Sequence, residues 1–255
     1  MANGNSIRLR EYRTLRTDAW WAGPLLTGAA LVGFALYALW AALQNDHYYA
    51  APYMSPFYSP CLAANCAHAA LSLIGSWWNL SPALLVLWVP VGMRATCYYY
   101  RKAYYRSIFL SPPACAVQDA ARGYGGESGF PLVLQNLHRY FFYLSLPVLA
   151  FLWWDALLAF RFADGFGIGI GTLVLLLNAA LLSLYAASCG SCRHLCGGRL
   201  KSLHDAPRRH RLWLYVSRLN ERHREYAWIS LAWVVLADSY VRLLATGTLR
   251  DFRFF

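Results

Sequence analysis

The chain has 255 residues, of which 58% are hydrophobic and only 14% charged, and its mean hydropathy is +0.33. Apolar residues gathered into long runs at that level exclude an ordinary soluble core and define an all-α membrane bundle, a single domain over residues 1–255. The formal charge of +11 lies mostly in segments beside those runs, which argues for membrane topology and against nucleic acid as a partner.

Five runs are long enough to cross about 30 Å of hydrocarbon at about 1.5 Å per residue: Trp20–Leu43, Leu80–Tyr104, Pro131–Phe160, Gly167–Cys189 and Tyr226–Ala245. The tail before the first carries Arg8, Arg10, Arg13 and Arg16. That run starts late, is long and lacks a small-residue cleavage site, so it reads as a retained helix rather than a signal peptide. The loop from Asn45 to Asn79 has no Lys or Arg, and holds Cys61 and Cys66 at a spacing suited to a disulfide in an oxidising compartment. His68 beside them leaves a weak outer metal site as the alternative.

The second run contains Pro90 and Cys97 and is followed by Arg101, Lys102, Arg106 and Arg122, then by Gly123, Gly125, Gly126 and Gly129 in a flexible connection. The third contains His138 and Pro147; both prolines are tolerable where neighbours satisfy the freed carbonyl. Gly167, Gly169 and Gly171 open the fourth, where small residues allow close helix approach. Arg193, Arg199, Lys201 and the stretch from Arg208 to Arg224 follow it, the last reading as a surface helix that leads into the fifth run. There Asp238 and Arg242, spaced i,i+4, read as a structural ion pair. The loop charges put the N-terminus in the cytoplasm and the C-terminus outside, against the smaller charge of Arg250 and Arg253. The localisation that follows is a cell membrane, crossed several times and in contact with lipid.

Cys97 and His138 each fall about two turns inside the basic end of a different run, Cys189 stands at a comparable depth in the fourth, and His194 lies just beyond. Polar residues at a common membrane depth point to function, and soft or imidazole side chains point to a metal. Taken singly, each Cys is equally at home as a small buried hydrophobe, and the CxxC of Cys189 and Cys192 lacks a zinc-finger complement. Two Cys and two His suit a Rieske-type 2Fe-2S cluster, whereas His138 and His194 alone would suit a bis-imidazole haem b. Arg94, Tyr98, Arg139 and Tyr140 lie beside these residues and could donate hydrogen bonds to quinone carbonyls, although Arg and Tyr at a membrane boundary also serve as snorkelling and belt residues.

The strings RATCYYYRKAYYR, SPPACAV, NLHRYFFY and SCRHL…GG, in that order, resemble the single-chain membrane anchor (cytochrome b/C subunit) of the actinobacterial type of succinate dehydrogenase, respiratory complex II. The resemblance implies flavoprotein and iron–sulfur partner subunits, a quinone (menaquinone or ubiquinone) as acceptor, and a Rieske-type cluster held by Cys97, His138, Cys189 and His194, with Cys115 and His223 as substitutes. Relatives often carry a His where this chain has Gly190. Succinate oxidation would belong to a partner, since this chain has no dinucleotide fingerprint. The alternatives are a di-haem cytochrome b anchor of a fumarate reductase and, from another class, a membrane transporter. The inner Cys and His cluster and the lack of paired broken helices in corresponding halves argue against the transporter.

Overall fold

The computed structural model describes residues 14, 16–63, 66, 80–119, 132–198, 202 and 206–255. The expectations for Arg8, Arg10, Arg13, His68, Arg122, the glycines from Gly123 to Gly129, Arg199 and Lys201 lie outside the described residues. Among the described residues, four helical stretches are long and apolar enough to cross a membrane: Ala22–Gln44, Val133–Leu158, Ile170–Ala187 and His223–Ala245.

Helix α1 (Ala22–Gln44) exposes Leu25, Leu26, Leu36, Leu39 and Leu43 over its length, a surface suited to lipid rather than water. It stops at Asn45, whose φ of 50° is the left-handed cap that Asn tolerates. The loop that follows is folded, not slack. Strands β1 (Tyr49–Ala50) and β2 (Tyr53–Met54) form a small hairpin, Phe57 and Tyr58 are buried against the small residues Ala38, Ala41 and Ala42 of α1, and Ser55 and Ser59 are buried as well. Cys61 and Cys66 form a disulfide, as expected from their spacing.

The second apolar run does not make one helix. A 3-10 turn at Pro82–Leu85 precedes α2 (Trp88–Ala95) and α3 (Tyr98–Ser107), which are separated by an extended residue, Cys97, with ψ of 132°. Pro90 falls in the first turn of α2, where its missing N–H would have had no helical partner, so it begins a helix instead of kinking one. Past Cys97 the sequence YYYRKAYYRS is amphipathic and packs along α1, so this half no longer has the composition of a lipid-buried span.

A 3-10 turn at Leu132–Leu137 leads into α4 (His138–Leu158), which passes Pro147 without ending. Hairpin β3–β4 (Arg161–Phe162, Gly165–Phe166) turns the chain into α5 (Ile170–Ala187). The glycines before and in α5 meet a loop, not a helix: a Cβ on Gly171 would stand 2.6 Å from the Tyr53 ring, and one on Gly169 would meet Asp251. Helix α6 (Gly190–Gly197) and the basic surface helix α7 (Pro207–Glu221) cover one end, and α8 (His223–Ala245) packs along α5. The C-terminal residues return over the opposite end, where Phe254 N donates to Ile168 O at 2.8 Å and Arg253 pairs with Asp164.

That opposite end is locked by a buried polar network. Asp238 is 0% exposed and accepts from Tyr37 Oη at 2.6 Å, from Arg242 Nε at 2.8 Å and from the Ser55 hydroxyl. Arg242 also donates to Gln44 Oε1, Asp46 O and Ala41 O, and its guanidinium lies over Trp40 and Tyr58. The i,i+4 pair read in the sequence is therefore a staple that joins α8, α1 and the folded loop.

Candidate functional site

At the basic end the helix breaks bring chemistry together. The chain twice runs helix, hydroxyl residue, cysteine, helix: Thr96 caps α2 and Cys97 starts α3, while Ser188 caps α5 and Cys189 starts α6. Both cysteines are extended, with ψ of 132° and 145°, and both are only 2% exposed. Two histidines occupy the first positions of α4 and α8. His138 Nε2 lies 3.0 Å from Cys189 Sγ, and His223 Nε2 lies 3.3 Å from Cys97 Sγ. The second nitrogens are held as well: His138 Nδ1 is 3.0 Å from Thr96 Oγ1 and His223 Nδ1 is 2.7 Å from Ser188 Oγ. Ser191 N donates to Cys189 Sγ at 3.4 Å.

Cys97 and Cys189 belong to one buried cluster with Met93, Tyr100, Phe142 and Tyr185, so both thiols sit in the same dry layer. Tyr185 stacks on the His223 ring at 5.2 Å, and the Arg94 guanidinium lies 4.6 Å over the Tyr185 ring. Arg94 is itself buried, donating to Tyr100 Oη, Ala227 O and Ser230 Oγ. Among the described residues, no three His, Cys, Asp or Glu groups converge on one point suited to a single metal ion. The arrangement is instead two sulfur–nitrogen pairs.

Of the residues singled out in the sequence, Cys97, His138 and Cys189 are thus gathered. His194 is not brought to them: the break at Cys189 redirects the chain, and His194 lies exposed on α6 with its ring by Gly198. His223 stands in the remaining place, because α8 starts earlier than its apolar content suggests. Cys115 is exposed. Cys192 sits half-buried on α6 near Cys196, and burial pushes its thiol up to about 12, with Cys196 adding to the shift.

An apolar cleft of about 570 Å³ opens beside this layer, between α1 and the broken pair α2–α3. Leu31, Leu39, Val91 and Phe109 form its apolar wall, and its polar residues are Arg94, Tyr100 and Tyr104. Arg94 is the one residue of the sequence-derived quinone set on this cleft. Tyr98 and Tyr140 are 70% and 63% exposed, Arg139 is also exposed, and Tyr98 lies under the Arg101 guanidinium. Tyr100, Tyr104 and Tyr185 escaped the sequence reading; a helical period of three to four counted onward from Cys97 would have found the first two on one face.

Residues 22–247 match the family model of the actinobacterial succinate dehydrogenase subunit SdhC. The chain belongs to this family. A solved structure, the Mycobacterium smegmatis Sdh1 complex in the apo form, contains a chain 46% identical, with a TM-score of 0.89 over 96% of this chain and 95% of that one. Among curated proteins none matches significantly. This SdhC chain is a subunit of a succinate dehydrogenase, hence of an enzyme complex, and a multi-pass protein of the cell membrane. Family membership displaces the transporter reading.

Proposed function

We propose that this SdhC chain anchors the flavoprotein and iron–sulfur subunits to the membrane. It then passes electrons from the iron–sulfur partner to a quinone through a Rieske-type 2Fe-2S cluster held by Cys97, Cys189, His138 and His223. The observation that carries the reading is the convergence of two buried thiols and two imidazoles from four separate chain segments, each donor at a helix break or helix start. Such a donor set fits a cluster whose irons take thiolates on one side and imidazoles on the other, once the two thiol protons have left. A haem fits less well, because two imidazoles would satisfy it and would leave the two buried thiols that face them without a role. A cluster bound here supplies one-electron transfer at a potential set by its ligands and surroundings.

The chain's own residues would do the rest. Thr96 and Ser188 orient the imidazoles, and α2 to α6 wall the layer off from water. The cleft suits a quinone, with its apolar wall against the tail and Arg94 turned towards a carbonyl oxygen. The stack from His223 through Tyr185 to Arg94 joins the two sites by close contacts. The charge pattern supports a five-span topology, counting the broken segment 82–107 as a crossing, with the N-terminus cytoplasmic and the C-terminus outside. The partner subunits would dock on the basic end near Arg101, Lys102 and Arg106.

The test is the pair of variants His138→Ala and His223→Ala in the purified complex, assayed for succinate oxidation with quinone and with a soluble artificial acceptor. Quinone reduction is expected to be lost in both while the artificial-acceptor activity persists, and His194→Ala is expected to behave as the unaltered complex. Full quinone activity in His223→Ala would refute the ligand set.

A further inference from the structure

The hydroxyls beside the two cysteines are placed alike. Thr96 Oγ1 has one proton, and it has an acceptor within its own helix, the carbonyl of Gly92 at 2.7 Å. Ser188 Oγ likewise has the carbonyl of Tyr185 at 3.0 Å. A hydroxyl that gives its proton to a carbonyl has only lone pairs left for a third group. The group in contact is in each case an imidazole Nδ1, at 3.0 Å for His138 and 2.7 Å for His223, which must then carry hydrogen. A neutral imidazole has one N–H and one lone pair, so the lone pair falls on Nε2, the nitrogen that faces Cys189 or Cys97. The relation is crossed: the hydroxyl next to one cysteine fixes the imidazole that faces the other cysteine.

We propose that Thr96 and Ser188 are paired positioning residues that set the tautomer of both histidines and thereby direct metal binding through Nε2, with Nδ1–H kept inside the protein on a hydroxyl–carbonyl relay. The inference rests on the cluster reading above. It assigns these two residues a role that neither their type nor their position in the sequence reveals, since each hydroxyl and its imidazole are 42 or 35 residues apart. Removing a group that orients a metal-bound imidazole weakens metal holding by about 10- to 100-fold.

The experiment uses the intact complex grown with histidine labelled with nitrogen-15 at either Nε2 or Nδ1, and pulsed electron paramagnetic resonance on the reduced sample. The strong nitrogen coupling is expected to change with the Nε2 label, and the Nδ1 label to alter only a weak, remote coupling. A strong coupling that follows Nδ1 would overturn the inference and leave the cluster reading standing. The absence of any strong histidine coupling would overturn that reading, and the inference with it. Thr96→Val keeps the side-chain volume and removes the acceptor; loss of the signal to an iron chelator is expected to run at least about tenfold faster than in the unaltered complex. Thr96→Ser is expected to restore the original rate. Equal rates for Thr96→Val and the unaltered complex would remove Thr96 from the assignment.

Discussion

Replacing Asp238 tests whether the polar staple at the end opposite the cysteine–histidine layer holds the bundle together independently of the site. In Asp238→Asn the Arg242 guanidinium, 6% exposed, loses its carboxylate partner but keeps Gln44 Oε1, Asp46 O and Ala41 O as acceptors. Breaking a buried pair by removing one partner costs about 3–5 kcal/mol, and the retained acceptors put this case at the lower end, about 3 kcal/mol. That is roughly a 150-fold rise in the opened fraction, at a factor of ten per about 1.4 kcal/mol. Arg242→Met should cost a similar amount, since Tyr37 and Ser55 then face a lone buried carboxylate. The double variant Asp238→Leu/Arg242→Met should lose clearly less than the sum, because neither charge is stranded and the hydroxyls of Tyr37 and Ser55 keep Ser239 Oγ and Phe57 N as partners. The assay is thermal unfolding of the detergent-solubilised complex, with protease sensitivity of the loop around Tyr53–Ser59 as the local reading. Electron transfer at low temperature should be unchanged, since the staple and His223 lie at opposite ends of α8. Additive losses in the double variant, or an Asp238→Asn complex as stable as the original, would refute the reasoning.

Arg94→Leu should lower quinone reduction at least about tenfold while leaving artificial-acceptor activity intact, because it removes a buried donor at the cleft and the cation over Tyr185; steady-state rates with both acceptors check this. The Asp164 carboxyl is held below its ordinary range chiefly by its hydrogen bond with Arg253, so its contribution to the tail contact is complete above the ordinary carboxylate pKa and disappears as pH falls through the depressed value. Protection of the Phe254 amide from hydrogen exchange, taken relative to its intrinsic rate at each pH, should therefore fall only under acid conditions, and a fall near neutrality would contradict the assignment. A reporter fused after Phe255 should be active outside the cell membrane, and cytoplasmic activity would reverse the proposed orientation.

Much of this architecture was legible because a bilayer makes composition speak for depth. The runs that became α1, α4, α5 and α8 are apolar enough to be read directly. The second run hides its interruption because hydropathy does not register a backbone break: Cys97 is extended, and the amphipathic α3 follows it. The same blindness explains the histidine. Cys189 ends α5 and turns the chain, so five residues later His194 faces outwards, whereas the polar start of α8, HREY, is helical and carries His223 to the level of the two cysteines. Tyr98 and Tyr140 are adjacent along the chain to Cys97 and Arg139, yet neighbours along a helix point about 100° apart, and the inward residue is Tyr100. Thr96 and Ser188 could not be read at all, since their role depends on contacts with α4 and α8.

Cys97, Cys189, His138 and His223 are proposed to hold a histidine-ligated iron–sulfur cluster. The most direct measurement is the electron paramagnetic resonance and optical spectrum of the purified complex, oxidised and succinate- or dithionite-reduced, compared with His223→Ala and His194→Ala. A Rieske-type signal that survives His194→Ala and vanishes in His223→Ala is the result predicted. A haem spectrum without that signal, or a signal indifferent to His223, would contradict it.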